Sequence, residues 1–167
     1  MNKKRILFVC MGNICRSPAA EAIMKKTIEK NNLSDKIEID SAGTIEYHSG
    51  ESADSRMIVY AKKRGYIVDS TARQFDMAKD FEQFDYIVTM DNENLEDIKS
   101  MDVLNNHKHK IFRMVDFCEN CTIDEIPDPY YNSASGFEEV LDMLEDATNG
   151  LLNRVINDIK QQDKSKN

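Results

Sequence analysis

Cys10 and Arg16 stand five residues apart in the stretch Val9-Cys10-Met11-Gly12-Asn13-Ile14-Cys15-Arg16-Ser17-Pro18. A thiol, a guanidinium and a hydroxyl this close together suit attack by sulfur on an anionic centre. A loop of that length leading into a helix can curl so that successive backbone N–H groups point inward, with the positive end of the helix dipole behind them. Gly12 is expected to supply backbone freedom, and Asn13 tolerates a left-handed φ. Arg16 adds a planar two-donor fork matched to phosphate oxygens. The same amides, dipole and arginine favour the thiolate of Cys10, and Ser17 is placed to donate to that sulfur and help it leave. A cysteine at a strand end is by itself as readily a small buried hydrophobe. The company of Gly12, Asn13, Arg16 and Ser17-Pro18 is what selects the nucleophile.

These groups need elements to hold them. Residues 5–10 form an apolar run of strand length that ends on Cys10. Ser17-Pro18 reads as a helix start, with serine as N-cap and proline in the first helical position. Ala20, Ile23, Met24, Thr27 and Ile28 continue that helix to about residue 31 at helical spacing, with Glu21 in its first turn. Lys36 to Asp40 alternates as a strand and runs into Ser41-Ala42-Gly43, and a helix over 54–64 is closed by Gly65. The β-rich run 84–90 is bounded by Asp91, which is suited to cap a helix over 92–100, and Lys110 to Met114 is a further short strand. Asp124 to Ser135, with Pro127 and Pro129, is loop. A long apolar stripe from Phe137 to Ile159 predicts the last helix, interrupted by Gly150 at a cost of about 1 kcal/mol. The polar tail 161–167 is expected to fray.

Strands alternating with helices predict an α/β fold: one domain over 1–160, with a central four-stranded, mostly parallel twisted sheet and helices on both faces. The crevice of such sheets lies beyond the carboxyl ends of the strands, where Cys10, Ser41 and Asp91 all fall. The 167 residues are 41% hydrophobic and 31% charged, with a net charge of −8, which argues against nucleic-acid binding. No signal peptide or membrane-spanning stretch is evident. The four cysteines (Cys10, Cys15, Cys118, Cys121) therefore read as reduced thiols of a cytoplasmic protein. Cys118-x-x-Cys121, with His107 and His109 nearby, leaves open a weak zinc site, a redox pair or an incidental one. Lys62-Lys63-Arg64 reads as a solvated helix face and His48 as a solvated loop histidine.

The segment Val9 to Pro18 resembles the signature of the low-molecular-weight protein tyrosine phosphatases, and Pro127-Asp128-Pro129-Tyr130-Tyr131 resembles that family's second hallmark. Asp40 to Gly43, Ala72-Arg73-Gln74 and Met90 to Asn94 are similar to further family segments in the right order, so the resemblance spans nearly the whole chain. It implies hydrolysis of phosphotyrosine proteins and aryl phosphates through a cysteinyl-phosphate, without metal or cofactor, by a monomer or weak dimer. In that picture Cys10 attacks phosphorus, Arg16 holds the equatorial oxygens, and Asp128 is general acid and then base. Met11, Gly12, Asn13, Ile14, Cys15 and Ser17 form the cradle, Tyr47 and Tyr130 wall the substrate ring, and Asn13, Ser41 and Asp91 support the site. Cys15 resembles a redox partner of Cys10, and Tyr130-Tyr131 resemble tyrosines that are themselves phosphorylated. One departure is Ser70, where family members often carry a histidine supporting the cradle asparagine. The same fold also serves protein arginine phosphatases, which the resemblance suggests carry threonine in place of Ile14, and thiol-dependent arsenate reductases, which need two relay cysteines.

Overall fold

The computed structural model describes residues 3–166. Its centre is β1 (Lys4–Cys10), flanked by β2 (Ile37–Gly43) and β3 (Tyr86–Thr89), with β4 (Ile111–Arg113) beyond β3. All three pairings are parallel. The strand β1 reads as unbroken apolar sequence because both of its faces are covered. Ile6, Phe8 and Cys10 face α1 (Arg16–Lys30) and the long α5 (Ala134–Ser165), whereas Leu7 and Val9 face α3 (Asp80–Gln83) and α4 (Asn92–Met101). A further helix, α2 (Ser55–Lys63), packs on α1 and α5.

The strand order β2-β1-β3-β4 means that the chain leaves β1 toward one edge and leaves β3 toward the other. The carboxyl ends of β1 and β3 therefore diverge beside each other, the place where a doubly wound sheet opens its crevice. Cys10 ends one strand, and Asp91 follows the other by two residues.

Five local expectations are corrected. The first helix begins at Arg16 with Cys15 in the cap position, so Ser17 is not its cap and Pro18 is the third helical residue. Proline is still tolerated there, because the first four helical N–H groups have no intrahelical partner. Gly150 is more than a weak helix former: a Cβ there would lie 2.0 Å from the Phe117 carbonyl oxygen, so the glycine lets the short 3-10 turn Met114–Phe117 approach α5. The same helix continues through Gln161 to Ser165, where a frayed tail was expected, while Asn167 lies outside the described residues. Finally, Cys118 and Cys121 are joined as a disulfide, their Cα atoms 5.5 Å apart, rather than reduced. Arg64 is likewise not merely solvated, since it pairs with Glu138, Asp142 and Glu145 and ties the end of α2 to α5.

Candidate active site

Residues 11–15 link β1 to α1 as a tight loop whose carbonyls are engaged outward. The Cys10 carbonyl accepts from Thr44 N–H (2.9 Å), Met11 from Ile45 (3.1 Å) and Ile14 from Asp54 (2.8 Å). Within the described residues, the N–H groups of Met11 to Cys15 donate to no other group of the protein. With the carbonyls turned out, these amides are left for the inside of the loop, as an anion cradle requires. The turn is made at Asn13, with φ at 57°, and not at Gly12, whose φ is not left-handed. What Gly12 provides is space: a Cβ there would sit 3.0 Å from the His48 ring. Gly43 is tighter still, since its Cβ would lie 2.7 Å from the Met11 carbonyl oxygen and 3.2 Å from the Asn13 nitrogen.

Cys10 Sγ is buried at the base of the loop, 3.0 Å from Ser17 Oγ. Asn13 Nδ2 donates to the same Oγ at 2.8 Å. That leaves the single Ser17 proton for an acceptor, and the sulfur is nearer than the Ala42 carbonyl at 3.5 Å. Freedom from capping duty is what turns Ser17 toward the sulfur. Ser41, expected to brace the cradle, does not reach it: its hydroxyl donates to Glu21 Oε2 at 2.5 Å. Burial pushes the Glu21 carboxyl up, while Ser41 and Ser70 steady its charged form from the same pocket. Ser70 therefore serves Glu21, and Asn13 takes its support instead from the Arg73 N–H at 3.0 Å.

Arg16 is 2% exposed. Its Nη1 donates to Asp91 Oδ2 (2.6 Å) and to the Ile126 carbonyl (3.1 Å), and its Nη2 lies 3.6 Å from Asp128 Oδ2. Burial works against its charge, but Cys10, Asp91 and Asp128 together more than offset that and hold it cationic. Asp91 serves two elements at once, because its other oxygen caps α4 by accepting Asn94 N–H at 2.8 Å. Ile126, fully buried, also donates its N–H to the Met90 carbonyl (2.9 Å), fixing the loop two residues before Asp128. Asp128 itself accepts Tyr130 N–H at 3.0 Å, and Arg56 holds that loop from α2 through the Tyr130 carbonyl at 2.9 Å.

Cys10, Arg16 and Asp128 line one cavity of about 280 Å³, together with Met11, Gly12, Ile14, Cys15, Ile45, Tyr47, His48, Tyr130 and Tyr131. Tyr47 and Tyr130 both stand at its mouth, and His48, read as merely solvated, is a lining residue held by Glu51 at 2.7 Å. Burial pushes the Cys15 thiol far up, and the negative charges of Asp54, Cys10 and Asp128 act in the same direction. The sequence reading missed Ile126, Arg56 and His48. For Ile126 a signal existed, since it is one of two aliphatic residues, with Ile123, in a polar, proline-rich loop. Nothing in local spacing marked Arg56.

Elsewhere, a cleft of about 900 Å³ opens at the amino ends of the strands, among Lys3, Lys4, Lys36 and Asp163. It is larger but holds no nucleophile beside a cradle. Cys118 and Cys121 lie with Asp146 against α5, where Asp146 accepts the N–H groups of Glu119 (3.1 Å) and Asn120 (2.8 Å). They line neither the Cys10 cavity nor its approach, and their mutual bond leaves no thiolate to ligate a metal. Among the described residues no helix is long and apolar enough to cross a membrane.

A family model described as low molecular weight phosphotyrosine protein phosphatase matches residues 5–164. The rat low molecular weight phosphotyrosine protein phosphatase is 41% identical over 141 residues, covering 84% of this chain and 88% of its own. The crystal structure of a protein tyrosine phosphatase from Entamoeba histolytica superposes with a TM-score of 0.89 at 49% identity, over 93% of this chain and 98% of that one. A Drosophila arginine phosphatase superposes with a TM-score of 0.82 at 33% identity, over 89% and 96% of the two chains.

Proposed function

This chain belongs to the low molecular weight phosphotyrosine protein phosphatase family, and from that premise we propose a two-step hydrolysis of phosphotyrosine at Cys10. It is a protein-tyrosine-phosphatase, a phosphoric monoester hydrolase. The phosphoryl group enters the cradle with its equatorial oxygens on the loop amides and Arg16, where transition-state charge gathers. Cys10 attacks as thiolate and the S–P bond forms as the P–O bond to the tyrosyl ring breaks. Asp128 supplies the proton that the leaving phenolate takes. In the second step Asp128 removes a proton from water as it attacks phosphorus. Orthophosphate leaves and the sulfur departs as an anion, steadied by the Ser17 proton. Asp91 and the Ile126 carbonyl keep the Arg16 fork aimed at the cradle, so little reorganisation is needed during the reaction.

The observation that carries this reading is the convergence on one cavity of Cys10, inward-facing amides, a buried Arg16 and Asp128. Its test is a burst assay on an aryl phosphate. Wild type should give a burst and turnover, Cys10→Ser neither, and Asp128→Ala a burst followed by slow release; normal activity in Cys10→Ser would overturn it.

The substrates we assign are phosphotyrosine-containing proteins of the cytoplasm, met by a monomer or weak dimer. Cys15, which lines the same cavity as Cys10, is placed to trap its oxidised form as a disulfide. Peroxide should then yield a Cys10–Cys15 linked peptide that a dithiol reverses. The likeness to the Drosophila arginine phosphatase favours phosphoarginine as a second substrate class. Against it stands Ile14, an apolar side chain in the cavity wall where a polar group would be wanted near water. Parallel assays on phosphotyrosine and phosphoarginine peptides separate the two.

A further inference from the structure

The hydrogen-bond chain behind the sulfur does not end at Asn13. The Asn13 amide has two unlike ends, and only one of them can serve Ser17. Because Oδ1 accepts the backbone N–H of Arg73 at 3.0 Å, the NH₂ end must face Ser17, and it does so at 2.8 Å. The Arg73 peptide is itself stitched to the end of β2, where its carbonyl accepts Gly43 N–H at 2.8 Å. Its side chain is gripped from two elements. Asp80 on α3, 3% exposed, receives Nη1 at 2.9 Å and Nη2 at 3.2 Å. Asp40 on β2 receives Nε at 3.1 Å and Nη2 at 3.0 Å. Asp80 also accepts Asp76 N–H at 2.8 Å, so its position is fixed independently of the arginine. Burial works against the Arg73 charge, but Asp80 and Asp40 outweigh it and keep the guanidinium cationic.

We propose that Arg73 is a positioning residue for the chemistry at Cys10. Its ion pairs with Asp40 and Asp80 hold its own peptide N–H where that N–H orients the Asn13 amide, and Asn13 in turn directs the Ser17 proton onto the sulfur. Freed from Arg73, Asn13 can turn its amide, and Ser17 can then give its proton to the Ala42 carbonyl at 3.5 Å. This rests on Cys10 being the nucleophile but deepens that reading, because Arg73, Asp40 and Asp80 line no part of the cavity.

The test is alkylation of Cys10 by iodoacetate across pH, located by peptide mass mapping, alongside kcat and KM on an aryl phosphate. Arg73→Met should raise the midpoint of the alkylation profile by about one pH unit, the equivalent of a single buried hydrogen bond to an ion. Its kcat should fall about tenfold with KM nearly unchanged, and Arg73→Lys should lie between the two. On an Asn13→Ala background the Arg73→Met shift should vanish, because the relay is already cut. An unchanged midpoint in Arg73→Met, or a shift that persists without Asn13, overturns the proposal. If Arg73→Met does not fold, Asp80→Asn keeps the shape of the clamp and is read in the same way. Alkylation needs no turnover, so failure here is distinguishable from failure of the phosphatase reading, which Cys10→Ser reports.

Discussion

Cys10 and Cys15 share one loop and one cavity, yet only Cys10 has the Ser17 hydroxyl at its sulfur. Cys15 is surrounded by apolar packing with Asp54 and Asp128 near, which keeps its thiol protonated well above neutrality. Iodoacetate at neutral pH should therefore modify Cys10 and spare Cys15, and mass mapping showing equal labelling would refute the assignment. Ser17 is the second residue whose role came from its neighbours. Its sequence position suggested a cap, but the Asn13 amide occupies one side of its oxygen and leaves the proton for sulfur. Ser17→Ala should lower kcat about 10- to 100-fold with little change in KM, the scale of one hydrogen bond to a charged group. Stopped-flow measurement should locate the loss in the steps where the thiolate attacks or departs.

At the level of elements, two glycines mark where pieces of structure touch. Gly43 ends β2 against the back of the cradle, so Gly43→Ala must push the Met11 carbonyl and the Asn13 nitrogen apart from it. The expected result is a folded protein with at least tenfold lower kcat/KM and weaker protection of Cys10 by orthophosphate, because the amides no longer converge. Gly150 sits where α5 meets the Met114–Phe117 turn. Alanine there gains up to about 1 kcal/mol of helix propensity but must displace the Phe117 carbonyl, so a net loss of about 1–3 kcal/mol is expected by denaturant unfolding. The apolar stripe of α5 was plain from the sequence, whereas the reason for the glycine was not. A glycine that admits a neighbouring backbone looks the same in sequence as one that merely weakens a helix.

Across the whole molecule, ionic ties join segments that the sheet alone leaves separate. His107 lies between Asp102 (3.0 Å) and Glu82 (2.9 Å) and stacks on Phe81, tying the segment after α4 to α3. Donation by its ring N–H groups to the Glu82 and Asp102 carboxylates raises the imidazole above its ordinary 6.5. The Glu82 carboxyl is lowered below 4.5 by His107. Burial opposes a shift of Asp102, but the His107 contacts still bring it below 3.8. A raised base contributes fully below its unfolded value and loses that contribution as pH climbs through its folded one. A lowered acid contributes fully above its unfolded value and loses it as pH falls through its folded one. The tie is thus whole between about pH 4.5 and 6.5 and weakens on both sides. The difference in Tm between wild type and His107→Gln should be largest in that window and shrink above neutrality, and a difference independent of pH would refute the tie.

The sequence alone indicated the alternation of strands and helices, a mostly parallel sheet and strand-end positions for Cys10, Ser41 and Asp91. Arg16 belonged to the loop after Cys10, and the role of Asp128 came from the resemblance. Those features follow from local periodicity, from residue types at strand ends and from a long, specific resemblance. Only the tertiary structure decided which side chains meet across large separations: Arg16 with Asp91 and Ile126, Asn13 with Arg73, and Ser41 with Glu21 rather than with the cradle. The physical reason is that a hydrogen bond or ion pair depends on distance and direction in space. Residues 60 or 110 positions apart acquire both only when the sheet brings the ends of their strands together.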